Sequence, residues 1–581
     1  LLGKYLKKDP LFSLLKKTKD LNKTVNFDTH NFRARVSEEE LPSELEIEEL
    51  TRMSETARFH IFYRYKQRVS LILEESKEGV LRIDLTESRM SASMEDLAEE
   101  VPLYELEIDW SPLKKGKNEK IWKDINSYLL RLLQVLSQST FPLPTPLKQE
   151  ILEGYFSLFQ IPLSKAYSLP LRQPVSMEVG HVPLVPDKYS LTDKADGERK
   201  NLYIYKGKVY FISNNLEVTD TGIDTGDKAD LYDHTVFDGE FLYFKRYRKM
   251  AFLAFDCLFY RGTDYRPIPS LEERLDKVQE VISSLFSEKG QKSYAQPKFT
   301  QKFTLPAYEA FHKKELVNFY EALTADLGSS SKYPLIRKKF FLHPKGVQPN
   351  EVFKYATLIY QAAVFDSASA CPYNLDGIIF SPSMHPYEGG RGGKQMEFKW
   401  KPPEQNSLDV YLRFERDPET GEFLTVFDNS QEDKVPNRLY RVAHLYVGKV
   451  NRGKEYPTLF GREANLYLAG FFLDDQENLR SVDGDIVQDR TVVEVTYSSD
   501  PEIEPPFRWN ILRTRYDKTE NVRRFGRKYG NNQETANRIW RSIQTPFTWD
   551  DLLLLSKDAG FGGNLKEISH KEKIETPSLK Q

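Results

Sequence analysis

Short runs in which apolar and polar residues alternate recur along most of this chain, and that period of two is its strongest constraint. In the first quarter, "RFHIFYRYKQRVSLILEE" (58–75), "VLRIDLTESRM" (80–90) and "LYELEIDW" (103–110) each read as half-buried strands. A second series follows in "DVYLRFER", "FLTVFDN", "RVAHLYVGKV", "ANLYLAGFFL" and "TVVEVTYSS", between 409 and 499. Short strands joined by polar turns predict a small barrel there. Between the series, strands near 202–213, 235–244, 251–259 and 376–381 mix with helices, so the class is α+β. One segment breaks the pattern early: Ile121, Ile125, Tyr128, Leu129, Leu132, Leu133 and Leu136 recur at helical spacing. "FPLPTP" (141–146) marks a boundary after it, and "NQETANRIWRSIQTPFTWDDLLLLSKD" (532–558) reads as helix.

With 581 residues, the chain has room for about four domains at roughly 150 residues each. A net charge of −3 puts any nucleic-acid contact in local basic patches, not in a global field. Two cysteines, Cys257 and Cys371, exclude a disulfide scaffold and fit a reducing compartment. No apolar run is long enough to span a membrane as a helix.

The middle of the chain carries a series of polar knots, each set against an apolar strand. "KADGER" (194–199) alone is an ordinary surface turn. "FDGEFLYF" sets Asp238 and Glu240 two apart on one strand face, "MAFLAFDCLFYRG" is an apolar strand through Phe252 and Phe255, and "NLDGIIFSP" puts Asp376 at a strand head. "EFKWKP" places Lys399 and Lys401 on one face. Phosphorus chemistry on a nucleotide needs a nucleophile, cations around the phosphate, and carboxylates for metal and sugar. A lysine attacks only as the free amine, and crowding of Lys194 by Lys399 and Lys401 would disfavour its charged form.

In this order, KADGER, DGEF, FDCLFY, DGIIF, KWKP and "WNILRTRYDKT" (509–519) resemble the motifs of the covalent nucleotidyltransferases. KWKP followed by the Y-D-K-T context is similar to the messenger-RNA capping guanylyltransferases among them. The resemblance implies a nucleotidyltransferase domain with antiparallel sheets (141–405), an OB-fold domain that closes over it (406–520), and a C-terminal helical segment and linker (521–581). It implies that Lys194 forms a covalent lysyl-GMP from GTP, and that Arg199 and Glu240 hold the ribose. Phe255 would stack on the base, although Phe252 lies close by on the strand. Asp376 would work near a magnesium or manganese ion, and Lys399 and Lys401 would contact the α-phosphate. Arg515, Asp517 and Lys518 would orient the β- and γ-phosphates.

Before residue 140, Glu105, Glu107 and Asp109 share one strand face, where they repel unless a cation sits among them. Arg64, Lys66 and Arg68 share another face, and Arg82 and Asp84 a third. A salt-bridged sheet would look the same. The pattern also resembles the metal-dependent tunnel-type RNA triphosphatases, which precede the guanylyltransferase in capping enzymes of large DNA viruses. That likeness implies a β-tunnel over 1–140, a metal at Glu105 and Glu107, and a triphosphate held by Arg64, Lys66, Arg68 and Arg82. The family has a second acidic strand. "SELEIEEL" (43–50) reads better as a charged helix or loop, so that strand is expected upstream of Leu1.

The expected function is thus removal of the RNA γ-phosphate and transfer of GMP to the diphosphate end. An ATP-dependent RNA or DNA ligase, or a non-catalytic RNA-binding subunit, is the alternative. Partners implied are nascent 5′-triphosphate RNA, a viral RNA polymerase, and a methyltransferase domain or subunit starting after Gln581. The implied location is host cytoplasm or virion, with no membrane. "AGFGGNLK" (559–566) reads as a flexible linker, and "FKRYRKM" (244–250) and "NVRRFGRKYG" (521–530) are basic stretches that suit RNA phosphates or solvent equally.

Overall fold

A computed structural model describes residues 15–55, 62–94, 97, 100, 102–113, 119–137, 139–186, 188–286, 305–329, 333–365, 371–389, 395–428 and 438–575. Contacts divide the chain into two units, Leu1–Gly154 with Val218–Gly222, and Tyr155–Glu217 with Ile223–Gln581.

The first unit begins with a hairpin absent from the sequence reading, β1 (Lys16–Phe27) and β2 (Phe32–Glu40). Residues 44–55 form helix α1 (Glu44–Glu55), in line with the charged helix expected around "SELEIEEL". Ser43 caps it, its amide donating to Glu46 at 2.9 Å. Strands β3 (Tyr63–Glu75), β4 (Gly79–Ser91) and β5 (Leu103–Pro112) make an antiparallel sheet with β4 central. The part of the first expected strand at 58–61 lies outside the described residues. Among the described residues this sheet has three strands and does not pair with the hairpin. Helix α2 (Glu119–Leu136) follows as the spacing required, with Ile121 buried. The proline-rich boundary turns into the start of helix α3 (Thr145–Leu158), because proline is tolerated in a first helical turn.

The second unit holds two sheets facing the candidate site. In one, β6 (Val175–Ser176), β14 (Phe398–Trp400), β13 (Leu375–Pro382) and β7 (Tyr189–Ala195) lie in that order. In the other, β9 (Lys208–Ser213), β8 (Glu198–Tyr205), β10 (Thr235–Phe244) and β11 (Lys249–Tyr260) are antiparallel neighbours. Strand β12 (Leu335–Lys338) joins β11 in parallel. Helix α4 (Leu271–Leu285) packs on the second sheet through Leu271, Leu275, Val278 and Val281. Helices α5 (Leu305–Leu327) and α6 (Glu351–Tyr360) back the first sheet.

From Ser407 onward a separate core forms around β15 (Ser407–Phe414), β16 (Thr425–Asp428), β17 (Arg438–Asn451), β18 (Lys454–Leu459), β19 (Leu468–Phe472), β20 (Thr491–Tyr497) and β21 (Trp509–Thr514). Leu408, Val410 and Leu412 meet Ala443, Leu445, Val493 and Val495 inside it. "ANLYLAGFFL" is only half strand, since Ala464–Tyr467 is a helical turn.

The C-terminal segment then returns. Helix α7 (Tyr516–Phe525) ends at Gly526 in the left-handed conformation. Helix α8 (Gln533–Gln544) gives Ala536 and Trp540 to the β-lobe core, whereas α9 (Trp549–Ser556) gives Leu552 and Leu555 to the core behind the first sheet. The linker expected at 559–566 is instead the start of helix α10 (Phe561–Glu575). The three glycines of 559–566 misled the reading; Phe561, Leu565 and Ile568 anchor the turn by packing into the same core as α9.

Candidate active site

Lys194 lies on β7, opposite Gly377 of β13. Between Leu375 and Gly377 the register slips, leaving Asp376 as the extra residue of a bulge. Bulges re-aim the side chain they carry. Here the Asp376 carboxylate accepts hydrogen bonds from the Lys194 ammonium and, at 2.8 Å, from Lys401. Gly377 permits this geometry, with φ of +136° and no room for a Cβ beside the Trp400 carbonyl oxygen. Burial by itself would raise the Asp376 carboxyl, but Lys194 and Lys401 outweigh it and hold it below the usual carboxylate range. The expected crowding of Lys194 by like charge is therefore offset by a carboxylate set between two lysines. Lys399 stands two residues before Lys401, and both line a cavity of about 70 Å³ with Ser176, Asn406 and Ile539.

Arg199 on β8 faces Glu240 on β10 in register. Its guanidinium makes a bidentate pair with buried Asp238, at 3.0 and 2.6 Å, and donates to the Arg172 carbonyl at 2.6 Å. Tyr387 donates to the same carboxylate at 2.7 Å. Arg199 is thus clamped by Asp238, a role that the sequence reading missed. The signal was present, because Asp238 shares a strand face with Glu240. Burial pushes the Glu240 carboxyl upward against the pull of Lys339, Lys194 and Arg199. Lys339 is itself buried, 4.0 Å from the carboxylate of buried Asp193, and neither was singled out from the sequence.

Phe252 and Phe255 of β11 differ in packing. Phe252 is fully buried, stacked on Phe211 at 5.1 Å and fitted against Gly239. Phe255 is only partly buried and lies with its ring 5.5 Å from the Arg199 guanidinium, at the site.

Arg515, Asp517 and Lys518 are gathered elsewhere, at the start of α7. Arg515 bonds Asp517 at 3.0 Å and Asp409 at 2.8 Å, and Lys518 bonds the same Asp409 oxygen. Among the described residues none of the three contacts Lys194. Asp409, on β15, is the organising group, and nothing in its sequence context marked it. Arg513 on β21 is held by Glu494 at 2.8 Å, and Asp196, two residues after Lys194, is among the charges acting on it.

In the first unit the acid and base rows pair with each other. Arg64 meets Glu105 at 2.6 Å, Arg68 meets Asp84 at 3.0 Å and Glu107 at 3.4 Å, and Arg82 meets Asp109 at 2.7 Å. The cations among the three carboxylates are thus arginines, and the described residues hold no group of three or more acid, His or Cys side chains poised for a metal. Lys66 is exposed on the same face and has no carboxylate partner among the described residues. An acidic strand does approach this face from within the chain. Glu39 of β2 has its carboxyl lowered first by Lys17, at 2.7 Å, and further by Arg82 and Arg68.

Residues 149–326 match the family model for the mRNA capping enzyme catalytic domain. The chain is 31% identical over 545 residues to a probable mRNA-capping enzyme of Acanthamoeba polyphaga mimivirus, covering 92% of this chain and 44% of that protein. It is 24% identical over 392 residues to an mRNA-capping enzyme of African swine fever virus (strain Badajoz 1971 Vero-adapted), covering 63% of this chain and 35% of that protein. Among solved structures, a mycobacterial DNA ligase D complexed with ATP and MES aligns with 59% of this chain and 95% of its own, at 14% identity and a TM-score of 0.28. That score is too low to support an argument. The chain spans less than half the length of the viral relatives it matches. Its likeness to capping enzymes of large DNA viruses nevertheless runs through most of its own residues.

Proposed function

We propose that this chain, similar along 92% of its length to a viral capping enzyme, transfers GMP from GTP to the diphosphate end of nascent RNA through Lys194. The observation that carries the reading is the Lys194–Asp376–Lys401 cluster at the β7–β13 bulge. The Lys194 amine attacks the α-phosphorus of GTP, a P–N bond forms, and the bond to pyrophosphate breaks. The proton on the nitrogen must leave, and Asp376 is hydrogen-bonded to that atom. An oxygen of the RNA β-phosphate then attacks the same phosphorus and regenerates Lys194. Lys399 and Lys401 bear on the phosphate charge that develops in each step. Arg199 and Glu240 hold the ribose, Phe255 stacks on the base, and the β-lobe, read as an OB fold, brings Arg515, Asp517 and Lys518 to the β- and γ-phosphates.

The first unit is read as the RNA triphosphatase, with Arg64, Lys66, Arg68 and Arg82 gripping the triphosphate. Glu105 and Glu107 would hold magnesium or manganese only once Arg64 and Arg68 release them, because the described residues hold no ready ion site there. A second ion would sit at Asp376, whose carboxylate is engaged by Lys194 and Lys401 in this structure. Such ions neutralise phosphate oxygens. Among the described residues no helix is long and apolar enough to cross a membrane, which fits work in host cytoplasm or virion beside a viral polymerase and a methyltransferase. Incubation with labelled GTP or ATP tests the proposal: acid-labile label from GTP, lost in Lys194→Ala, is expected. Label from ATP alone would favour a ligase, and label from neither would refute a covalent transferase.

A further inference from the structure

The outward face of the β-lobe carries an aromatic and cationic stripe beside the Asp409 network. Residues 408, 410, 412 and 414 of β15, with 443, 445 and 447 of β17, fill the lobe's core, and their alternates lie on the other face, where Asp409 and Tyr411 are buried, His444 and Tyr446 half-buried and Arg413 exposed. Those alternates are Asp409, Tyr411 and Arg413 on one strand, and His444 and Tyr446 on its neighbour. Tyr411 lies directly across from Tyr446, and Arg413 across from His444. The Arg413 guanidinium sits over the Tyr446 ring at 5.7 Å, is exposed, and has no carboxylate within 4.0 Å among the described residues. Tyr467 stacks on His444, with ring centroids 6.1 Å apart and planes within 13°.

The stripe is also built from the C-terminal segment. Residues 529–532 wedge in where β15 and β17 part, with the Asn531 amide donating to the Asp409 carbonyl at 2.7 Å and the Gly448 amide to the Asn531 carbonyl at 2.9 Å. Gly530 has φ of +76°, and a Cβ there would strike the Asp409 carbonyl oxygen. Glu455 accepts from the Lys528 and Tyr529 amides at 2.9 and 3.1 Å. These bonds fix the Tyr529 ring edge-on against Tyr411 at 5.2 Å. The carboxylates facing the stripe are already engaged: Asp409 with Arg515 and Lys518, Glu455 with these amides, and Asp489 with the Phe414 amide and Arg416.

We propose that this stripe, centred on Arg413 and Tyr446, binds the single-stranded RNA immediately downstream of the 5′ end. The inference rests on the capping reading and adds to it an RNA track on the β-lobe. Aromatic faces accept any base by stacking, and a cation without a carboxylate partner among the described residues is available to a phosphate, so the track would be tolerant of sequence. Its continuity with Asp409, which holds the residues assigned to GTP phosphates, ties the track to the β-lobe's assigned part in guanylyl transfer.

The test uses the full chain and a fluorescent 5′-diphosphate RNA decamer, with affinity followed by anisotropy between 50 and 200 mM salt. Tyr446→Ala should weaken binding on the order of tenfold, and Tyr446→Phe should retain it. Arg413→Ala should reduce the slope of log affinity against log salt by about 0.7. GMP labelling from GTP alone should stay normal in all three, which also shows that they fold. Unchanged affinity and salt slope in Tyr446→Ala and Arg413→Ala would overturn the proposal, as a protein-docking face would give. Failure of the unmutated chain to label with GTP would strike the capping reading instead, because RNA binding is measured without GTP.

Discussion

Substituting Asp409 by asparagine tests whether the β-lobe serves one half-reaction. The Asp409 side chain is only 10% exposed, and one oxygen receives both Arg515 and Lys518. Asparagine can still present a carbonyl oxygen at that position but removes the negative charge that offsets the two cations. Hydrogen bonds to charged groups contribute about 1.5–3 kcal/mol each. Breaking a buried ion pair by removing one partner costs about 3–5 kcal/mol in all, so the two cations should lose their fixed positions. If they orient the leaving pyrophosphate, a misplacement of about 1 Å slows attack by Lys194 roughly 10²-fold. The lysyl-GMP intermediate has no β- or γ-phosphate, so its transfer to RNA should proceed within about twofold of normal by the same reasoning. The assay preloads enzyme with labelled GMP, removes GTP, adds diphosphate-ended RNA and follows each step under single turnover. Lys518→Ala should give the same split. A variant that loads at the normal rate but cannot transfer would refute the argument, because these residues would then serve RNA. Normal rates in both steps would reduce the Asp409 network to a structural ion pair.

Lys194→Ala should abolish GMP labelling, and Lys194→Arg should fail equally because a guanidinium stays protonated; residual label in either would exclude Lys194 as nucleophile. Asp376 has a folded-state pKa pulled below that of the unfolded chain, so its contribution is complete above the unfolded carboxyl range and is lost as pH falls through the lower folded value. Denaturant midpoints of the unmutated chain should therefore drop more steeply on acidification than those of Asp376→Asn, and parallel curves would contradict the assigned pairing. Glu105→Ala and Glu107→Ala should each remove metal-dependent γ-phosphate release while leaving GMP labelling intact; joint loss of both activities would signal misfolding. Gly377→Ala should destabilise the second unit by about 1–3 kcal/mol from backbone strain alone, read as a lowered urea midpoint.

Much of the candidate site was legible because its chemistry is carried by short local motifs. Period-two alternation set Asp238 with Glu240 and placed Lys194 at a strand end, and these are properties of neighbouring residues. The same local logic failed at 559–566, where glycines outweighed Phe561 and Leu565 until the core that receives those side chains existed. It also missed β1 and β2, whose charged residues gave little apolar alternation to read.

What the sequence determined by itself was the strand-rich α+β class, the order of the motifs and the residue types able to carry nucleotidyl transfer. Only tertiary structure decided that Phe252 is core and Phe255 borders the site, because the two differ in what packs against them and not in local pattern. It alone set Asp376 between Lys194 and Lys401, residues 182 and 25 positions away along the chain, through a bulge that depends on a Gly377 pressed against Trp400. It alone made Asp409 the anchor for Arg515 and Lys518, more than a hundred residues away. Electrostatic partners are chosen by distance in space, and a periodicity of two or 3.6 residues does not encode which distant strand will arrive alongside.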